Sequence, residues 1–210
     1  MKIGGAVITL LSWCIGLGNG QSAISFLEPN CGISLTESRN ARTRIVGGKV
    51  ADMFGNPWMA LIKSDVMCGG TLITSKFVLT AAHCKSNRPT VAYLGEFDTT
   101  TVIDCSPKEC MPNAIAISVD AQITHPSFVN YLENDIALFR LARKVQYSDY
   151  VKPICLLTNY NPLPQIRYLT ATGWGVTEYG ALSSVLRTTT LTQVDRSRCS
   201  ALFRRIAILT

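Results

Sequence analysis

Two side chains stand out for proton chemistry. His83 lies in Leu79-Thr80-Ala81-Ala82-His83-Cys84, at the end of an apolar run from Phe77 and beside a cysteine that can lock it in place. Asp135 lies in Asn134-Asp135-Ile136-Ala137-Leu138 and opens a second apolar run. Histidine exchanges a proton near neutral pH, and a carboxylate beside it can fix which ring nitrogen carries that proton. A hydroxyl is a poor nucleophile until such a base takes its proton. The plainer alternatives are a buried structural histidine and a strand-start aspartate capping a turn. The only other histidine, His125 in Thr124-His125-Pro126, reads as structural.

Rigid elements must hold such a pair, and the sequence supplies strands. Short β-rich runs cover Trp58 to Lys63, Gly70 to Thr74, Phe77 to Thr80, Thr90 to Leu94, Ala114 to Ile123, Asp135 to Leu141, Tyr168 to Gly173 and Val185 to Val194. Gly, Pro, Asn and Ser separate them, which predicts an all-β sandwich or barrel. Late in the chain Cys199, Leu202, Phe203 and Ile206 fall at helical spacing, with Ser197 as the expected cap. With 16% charged and 47% apolar residues in 210, the composition excludes wholesale disorder, and 15 Gly with 9 Pro exclude a collagenous or low-complexity chain.

The front of the chain reads as an export leader. Lys2 precedes a nearly unbroken apolar run from Ile3 to Leu17, and Gly18, Asn19 and Gly20 follow. The run is shorter than the roughly 20 residues of a membrane span, so cleavage near Gly20 and secretion to the extracellular side are expected. Cys14 leaves with the leader, and an odd number of cysteines remains: Cys31, Cys68, Cys84, Cys105, Cys110, Cys155 and Cys199. In an oxidising compartment most of these should pair, leaving one over. Their count does not give the connectivity. Cys105-x4-Cys110 could also be half of a zinc site, but no second pair at metal spacing follows it.

Taken in order, the motifs resemble those of the trypsin-like serine proteases of the chymotrypsin fold. The matching pieces are Arg44-Ile45-Val46-Gly47-Gly48, Pro57-Trp58, Cys68-Gly69-Gly70-Thr71-Leu72-Ile73, Ala82-His83-Cys84, the Asp135 motif, Pro153-Ile154-Cys155-Leu156 and Gly173-Trp174-Gly175. The Cys31-Gly32 pair and the insertion holding Cys105 and Cys110 resemble insect secreted members. The resemblance implies a double β-barrel, the first barrel nearly complete and the second truncated. It implies a leader over 1–20, a pro-segment over 21–44 and a peptidase domain over 45–210.

What the resemblance implies for residues is specific. His83 is the base, and Asp135 orients it and stabilises the imidazolium. Cleavage between Arg44 and Ile45 frees an amine that orders the substrate pocket, with Gly47 and Gly48 letting the backbone swing. Cys68 pairs with Cys84, Cys31 with Cys155 and Cys105 with Cys110, leaving Cys199 unpaired. Leu94-Gly95-Glu96-Phe97-Asp98 resembles the start of a calcium loop, with Glu96 and Asp98 as oxygen ligands. A solvated acidic loop is the preferred reading there, and no cofactor is expected. The implied partners are protein or peptide substrates, an upstream activating protease and protease inhibitors.

The resemblance stops before the nucleophile. No serine in the 210 residues stands in a Gly-Asp-Ser-Gly-Gly context. Three readings follow: a secreted endopeptidase zymogen whose sequence is incomplete, a non-catalytic homologue acting by binding, and a product without a stable fold. The stretch 45–210 also falls short of the about 200–250 residues usual for such a domain. The net charge of +6 comes largely from the ends, including Lys2 and the arginines Arg196, Arg198, Arg204 and Arg205. The main domain is nearly neutral and carries no nucleic-acid motif, so neither a nucleic acid nor a membrane is expected as a partner.

Overall fold

The computed structural model describes residues 25–35, 48–131, 133–158, 166–177, 180–195 and 197–201. The leader, the Arg44–Ile45 bond and the apolar positions Leu202, Phe203 and Ile206 lie outside the described residues. Among the described residues nine strands form in chain order: β1 (Lys49–Val50), β2 (Met59–Lys63), β3 (Met67–Thr74), β4 (Phe77–Thr80), β5 (Val91–Leu94), β6 (Ile115–Thr124), β7 (Ala137–Leu141), β8 (Tyr168–Gly173) and β9 (Arg187–Thr192).

Six of them close a barrel in the order β2-β3-β4-β7-β6-β5. Alternation along each strand explains which residues fill it, since successive side chains point to opposite faces. Val78 on β4, Phe139 and Leu141 on β7, Ala92 and Leu94 on β5 and Ile117 on β6 all point inward and are buried. The unbroken apolar run on β2 has a different cause. Ala60 and Ile62 fill the barrel, while Met59 and Leu61 on the opposite face pack with Ala51, Trp174 and Leu186 in a second cluster. β2 is therefore covered on both faces. Gly70 lets β3 and β4 approach closely: a Cβ there would lie 2.6 Å from Val78 Cγ1 and 3.2 Å from the Leu79 carbonyl oxygen.

The remaining strands form a three-stranded antiparallel sheet in the order β1-β9-β8. It is open among the described residues, and Tyr168, Leu169, Thr170 and Ala171 on β8 are exposed. The second cluster joins this sheet to the barrel, and the Trp174 indole donates to the Phe97 carbonyl at 3.0 Å. The expected architecture is thus found: six strands close the first barrel, and part of a second follows.

The late helix covers 197–201 within the described residues. Its cap is Asp195 rather than Ser197: Asp195 Oδ1 accepts from the Ser197 backbone at 2.8 Å, and its carbonyl accepts from Cys199 N–H at 3.0 Å. A carboxylate two residues before the first free N–H outcompetes a hydroxyl already inside the turn.

Candidate active site

His83 is placed by what surrounds it in the chain. β4 ends at Thr80, and a short 3-10 turn, Ala82–Cys84, follows at once. Ala82 and Cys84 are buried on either side of His83, so the turn is pinned while the imidazole projects outward. Cys84 is bonded to Cys68 on β3. Beyond the turn, Gln122 on β6 holds the next segment: its Oε1 accepts from Ser86 N–H at 2.9 Å, and its Nε2 donates to the Ser86 carbonyl and to Thr90 Oγ1, both at 3.1 Å. Nothing in the sequence pattern marks Gln122, because its partners lie more than thirty residues away along the chain.

Asp135 arrives from the neighbouring strand. β4 and β7 are antiparallel, with Thr80 paired to Ala137 and Leu79 to Leu138. The end of β4 and the start of β7 therefore lie at the same rim, and residues just beyond them meet. Asn134 sits at φ +58°, a left-handed conformation that asparagine tolerates better than most residues. Its Nδ2 donates to the Ser127 carbonyl at 2.9 Å, and Ile136 N–H donates to its carbonyl at 2.8 Å. This tight turn aims Asp135 at His83.

The two side chains meet closely. His83 Nδ1 lies 2.7 Å from Asp135 Oδ2, and His83 backbone N–H donates to Oδ1 at 2.9 Å. The hydrogen bond from the His83 side chain, with help from the backbone of His83 and Ala82, holds the Asp135 carboxyl below the usual carboxylate range against the burial that opposes it. An ionised carboxylate only accepts, so the proton between the two sits on Nδ1. Nε2 is then left as a lone-pair acceptor. The Asp135 side chain is 17% exposed and that of His83 54% exposed, so the acid is covered while the base opens to solvent. Beside it lies a cavity of about 370 Å³ lined by Lys85, Asn87, Thr124 and Phe128. Such an arrangement can take a proton from a hydroxyl presented at Nε2 and return it to a leaving group.

The disulfides follow the implied pairing: Cys31–Cys155, Cys68–Cys84 and Cys105–Cys110. Cys199 is exposed and free. The Cys105–Cys110 bond removes the zinc alternative. Cys68, His83 and Cys84 form a close group, but its two sulfurs are bonded to each other. The Cys31–Cys155 bond holds residues 25–35 along the barrel, where Leu27 N–H donates to the Leu156 carbonyl at 3.0 Å and Gly32 N–H to that of Pro153 at 2.8 Å.

Around Glu96 the structure adds a residue that sequence reasoning missed. Burial, and then the negative charge of Asp104, push the Glu96 carboxyl up, with Lys63 only partly offsetting them. Asp98 lies in the same group: its Oδ1 accepts from the backbone and hydroxyl of Thr100 at 3.1 and 2.7 Å, and its charge also acts on Glu96. Asp104 comes close because the insertion folds back, with Met111 N–H bonded to the Asp104 carbonyl at 2.7 Å.

Comparisons with known proteins agree with this geometry. The family profile described as Trypsin matches residues 45–207. Melanization protease 1 of Drosophila melanogaster is 36% identical over 197 residues, which cover 83% of this chain and 48% of that protein. The CLIP domain-containing serine protease HP8 of Bombyx mori is 34% identical, covering 91% of this chain and 55% of that protein. The solved structure described as the drosophila Grass clip serine protease of the Toll pathway superposes with a TM-score of 0.67 at 31% identity, covering 83% of this chain and 52% of that one. The chain thus spans about half the length of the curated relatives it matches.

Proposed function

The chain belongs to the trypsin family, and on that premise we propose that it carries the base and orienting acid of a secreted serine endopeptidase made as a zymogen. The observation that carries this reading is the 2.7 Å contact between Nδ1 and Oδ2 with Nε2 left open at the barrel rim. His83 Nε2 takes the proton of a serine hydroxyl as that oxygen attacks the scissile carbonyl. The imidazolium so formed is stabilised by Asp135, and its proton passes to the leaving amine. Residues 1–20 act as a leader, 21–44 as a pro-segment, and cleavage between Arg44 and Ile45 by an upstream protease begins activation. Substrates are proteins or peptides, and protein inhibitors of proteases are partners of the same cleft. Among the described residues no helix is long and apolar enough to cross a membrane.

The nucleophile is not supplied by the 210 residues, since none of their serines stands between glycines in the family's pattern. The second reading, placed below the first, is a non-catalytic homologue acting by binding. A serine-directed phosphonate separates the two. The 210-residue chain cleaved after Arg44 is expected to take up none. The same chain joined to the serine-bearing half of a related peptidase is expected to label, and to stop labelling as His83→Ala. Stoichiometric labelling of the 210-residue chain, or a labelled fusion indifferent to His83→Ala, contradicts the proposal.

No cofactor takes part in the proposed chemistry. The candidate calcium ligands are Glu96 and Asp98, and a cation there would offset the burial and the neighbouring charges of Asp104 and Asp98 that push the Glu96 carboxyl up. The sign of the pH effect follows. The folded-state pKa of Glu96 is raised, so its contribution to stability is present below the ordinary glutamate value of about 4.3 and lost as pH rises through the folded value. Calcium is therefore expected to raise Tm at neutral pH and to have little effect in acid. Glu96→Gln should raise Tm without calcium at neutral pH and abolish the response. Equal melting with calcium and with chelator would show that no cation is held there.

A further inference from the structure

We infer that Arg187 is the positioning residue that fastens the start of the activated chain onto the second sheet, an inference that rests on Arg44–Ile45 being the activation bond. Gly48 stands three residues beyond Ile45. Its carbonyl accepts from Arg187 Nη2 at 2.6 Å in a partly buried contact. The strand that follows is weak by itself: β1 has two residues, both exposed, paired as Lys49 with Thr188 and Val50 with Arg187. Its inner end is pinned, because Ala51 is buried and donates its N–H to the Leu186 carbonyl at 2.8 Å. Its outer end has the guanidinium. Short exposed strand ends open readily, whereas a hydrogen bond from a charged donor is roughly twice as strong as a neutral one.

Arg187 is available for this work. None of the ion pairs among the described residues involves it. The contact forms one wall of a cavity of about 330 Å³ that also includes Thr172, Gly173, Gly175 and Val176.

The consequence is a shorter tether for the new amino terminus. With the Gly48 carbonyl fixed, Ile45 is three residues from an anchored point, a reach of about 10 Å. Without the clamp the β1 pairs at Lys49 and Val50 are left as an exposed strand end, and once they open the nearest anchor is Ala51, six residues away, with a reach of about 20 Å. The volume open to the new ammonium rises roughly eightfold, and its local concentration falls in proportion.

Hydrogen exchange on the uncleaved 210-residue chain tests the clamp. Arg187→Met is expected to speed exchange of the 48–51 segment about tenfold or more while leaving the barrel peptides around Leu61 and Phe139 unchanged. Arg187→Lys, which restores a charged donor, should recover part of the protection. Unchanged exchange at 48–51 in Arg187→Met overturns the proposal. So does a loss shared equally by the Phe139 peptide, which would make Arg187 a general structural residue. The activation premise is judged separately, by cleaving with a trypsin-like protease and following carbamylation of the new amine. Failure to cut after Arg44, or an Ile45 amine as reactive as a free peptide's in every variant, sinks that premise and leaves the exchange result standing.

Discussion

Asp135→Asn is expected to lower kcat about 10⁴-fold while leaving the barrel folded. The measurement is peptide-amide hydrolysis by this chain joined to the serine-bearing half of a related peptidase. The loss follows from the two contacts of the carboxylate. Oδ1 accepts the His83 backbone N–H at 2.9 Å, and Oδ2 faces Nδ1 at 2.7 Å. An asparagine must keep its carbonyl oxygen toward the backbone N–H, because two donors cannot face each other. Its NH₂ then meets Nδ1, which has to become the acceptor, and the ring proton moves to Nε2. The nitrogen that should receive the serine proton is then already protonated. Folding is spared because the backbone bond survives and the substitution conserves volume. A loss of less than tenfold would mean that the base does not depend on Asp135.

Phe139→Ala is the substitution with the largest expected effect on stability, about 3–5 kcal/mol from a total usually near 5–15 kcal/mol. Phe139 is fully buried on β7 and heads the largest side chains of the barrel core. Its strand lies between β4 and β6, with Phe139 paired to Val78 on one side and to Gln122 on the other. The closed barrel cannot easily collapse onto the space left behind, because Leu72, Val78, Leu94 and Leu141 are held by strands paired on both edges. Leu169→Ala on the exposed β8 should change stability by no more than about 0.5 kcal/mol. Denaturant midpoints of the two variants give the comparison. Equal effects would mean that the barrel is not what holds the molecule together.

The barrel was legible in the sequence because each strand carries its own signal. The run from Phe77 to Thr80 is short, apolar and β-rich, and the turn residues between runs set the strand ends within a few residues. β1 was not legible: Lys49 and Val50 have no strand pattern of their own and become a strand because β9 lies beside them. The cap of the late helix was misread because Ser197 and Asp195 are both good capping residues, and only the backbone geometry decides between them. His83 and Asp135 were legible through the motifs around them, but not their contact, which depends on the antiparallel register of β4 and β7. Asp104 and Arg187 were missed for the same reason. Asp104 approaches Glu96 when the disulfide-closed insertion folds back, and Arg187 finds Gly48 across 139 positions of chain. Spacing along a sequence carries no record of such encounters.

The central claim is that Asp135 fixes the His83 ring with its proton on Nδ1 and leaves Nε2 as a free base. Nitrogen NMR of the 210-residue chain at mildly alkaline pH reads this directly, without substrate or nucleophile. The expected spectrum shows His83 with a protonated Nδ1 and an unprotonated Nε2, and the two assignments exchanged in Asp135→Asn. A wild-type ring protonated on Nε2, or one equally divided between the two forms, would contradict the account.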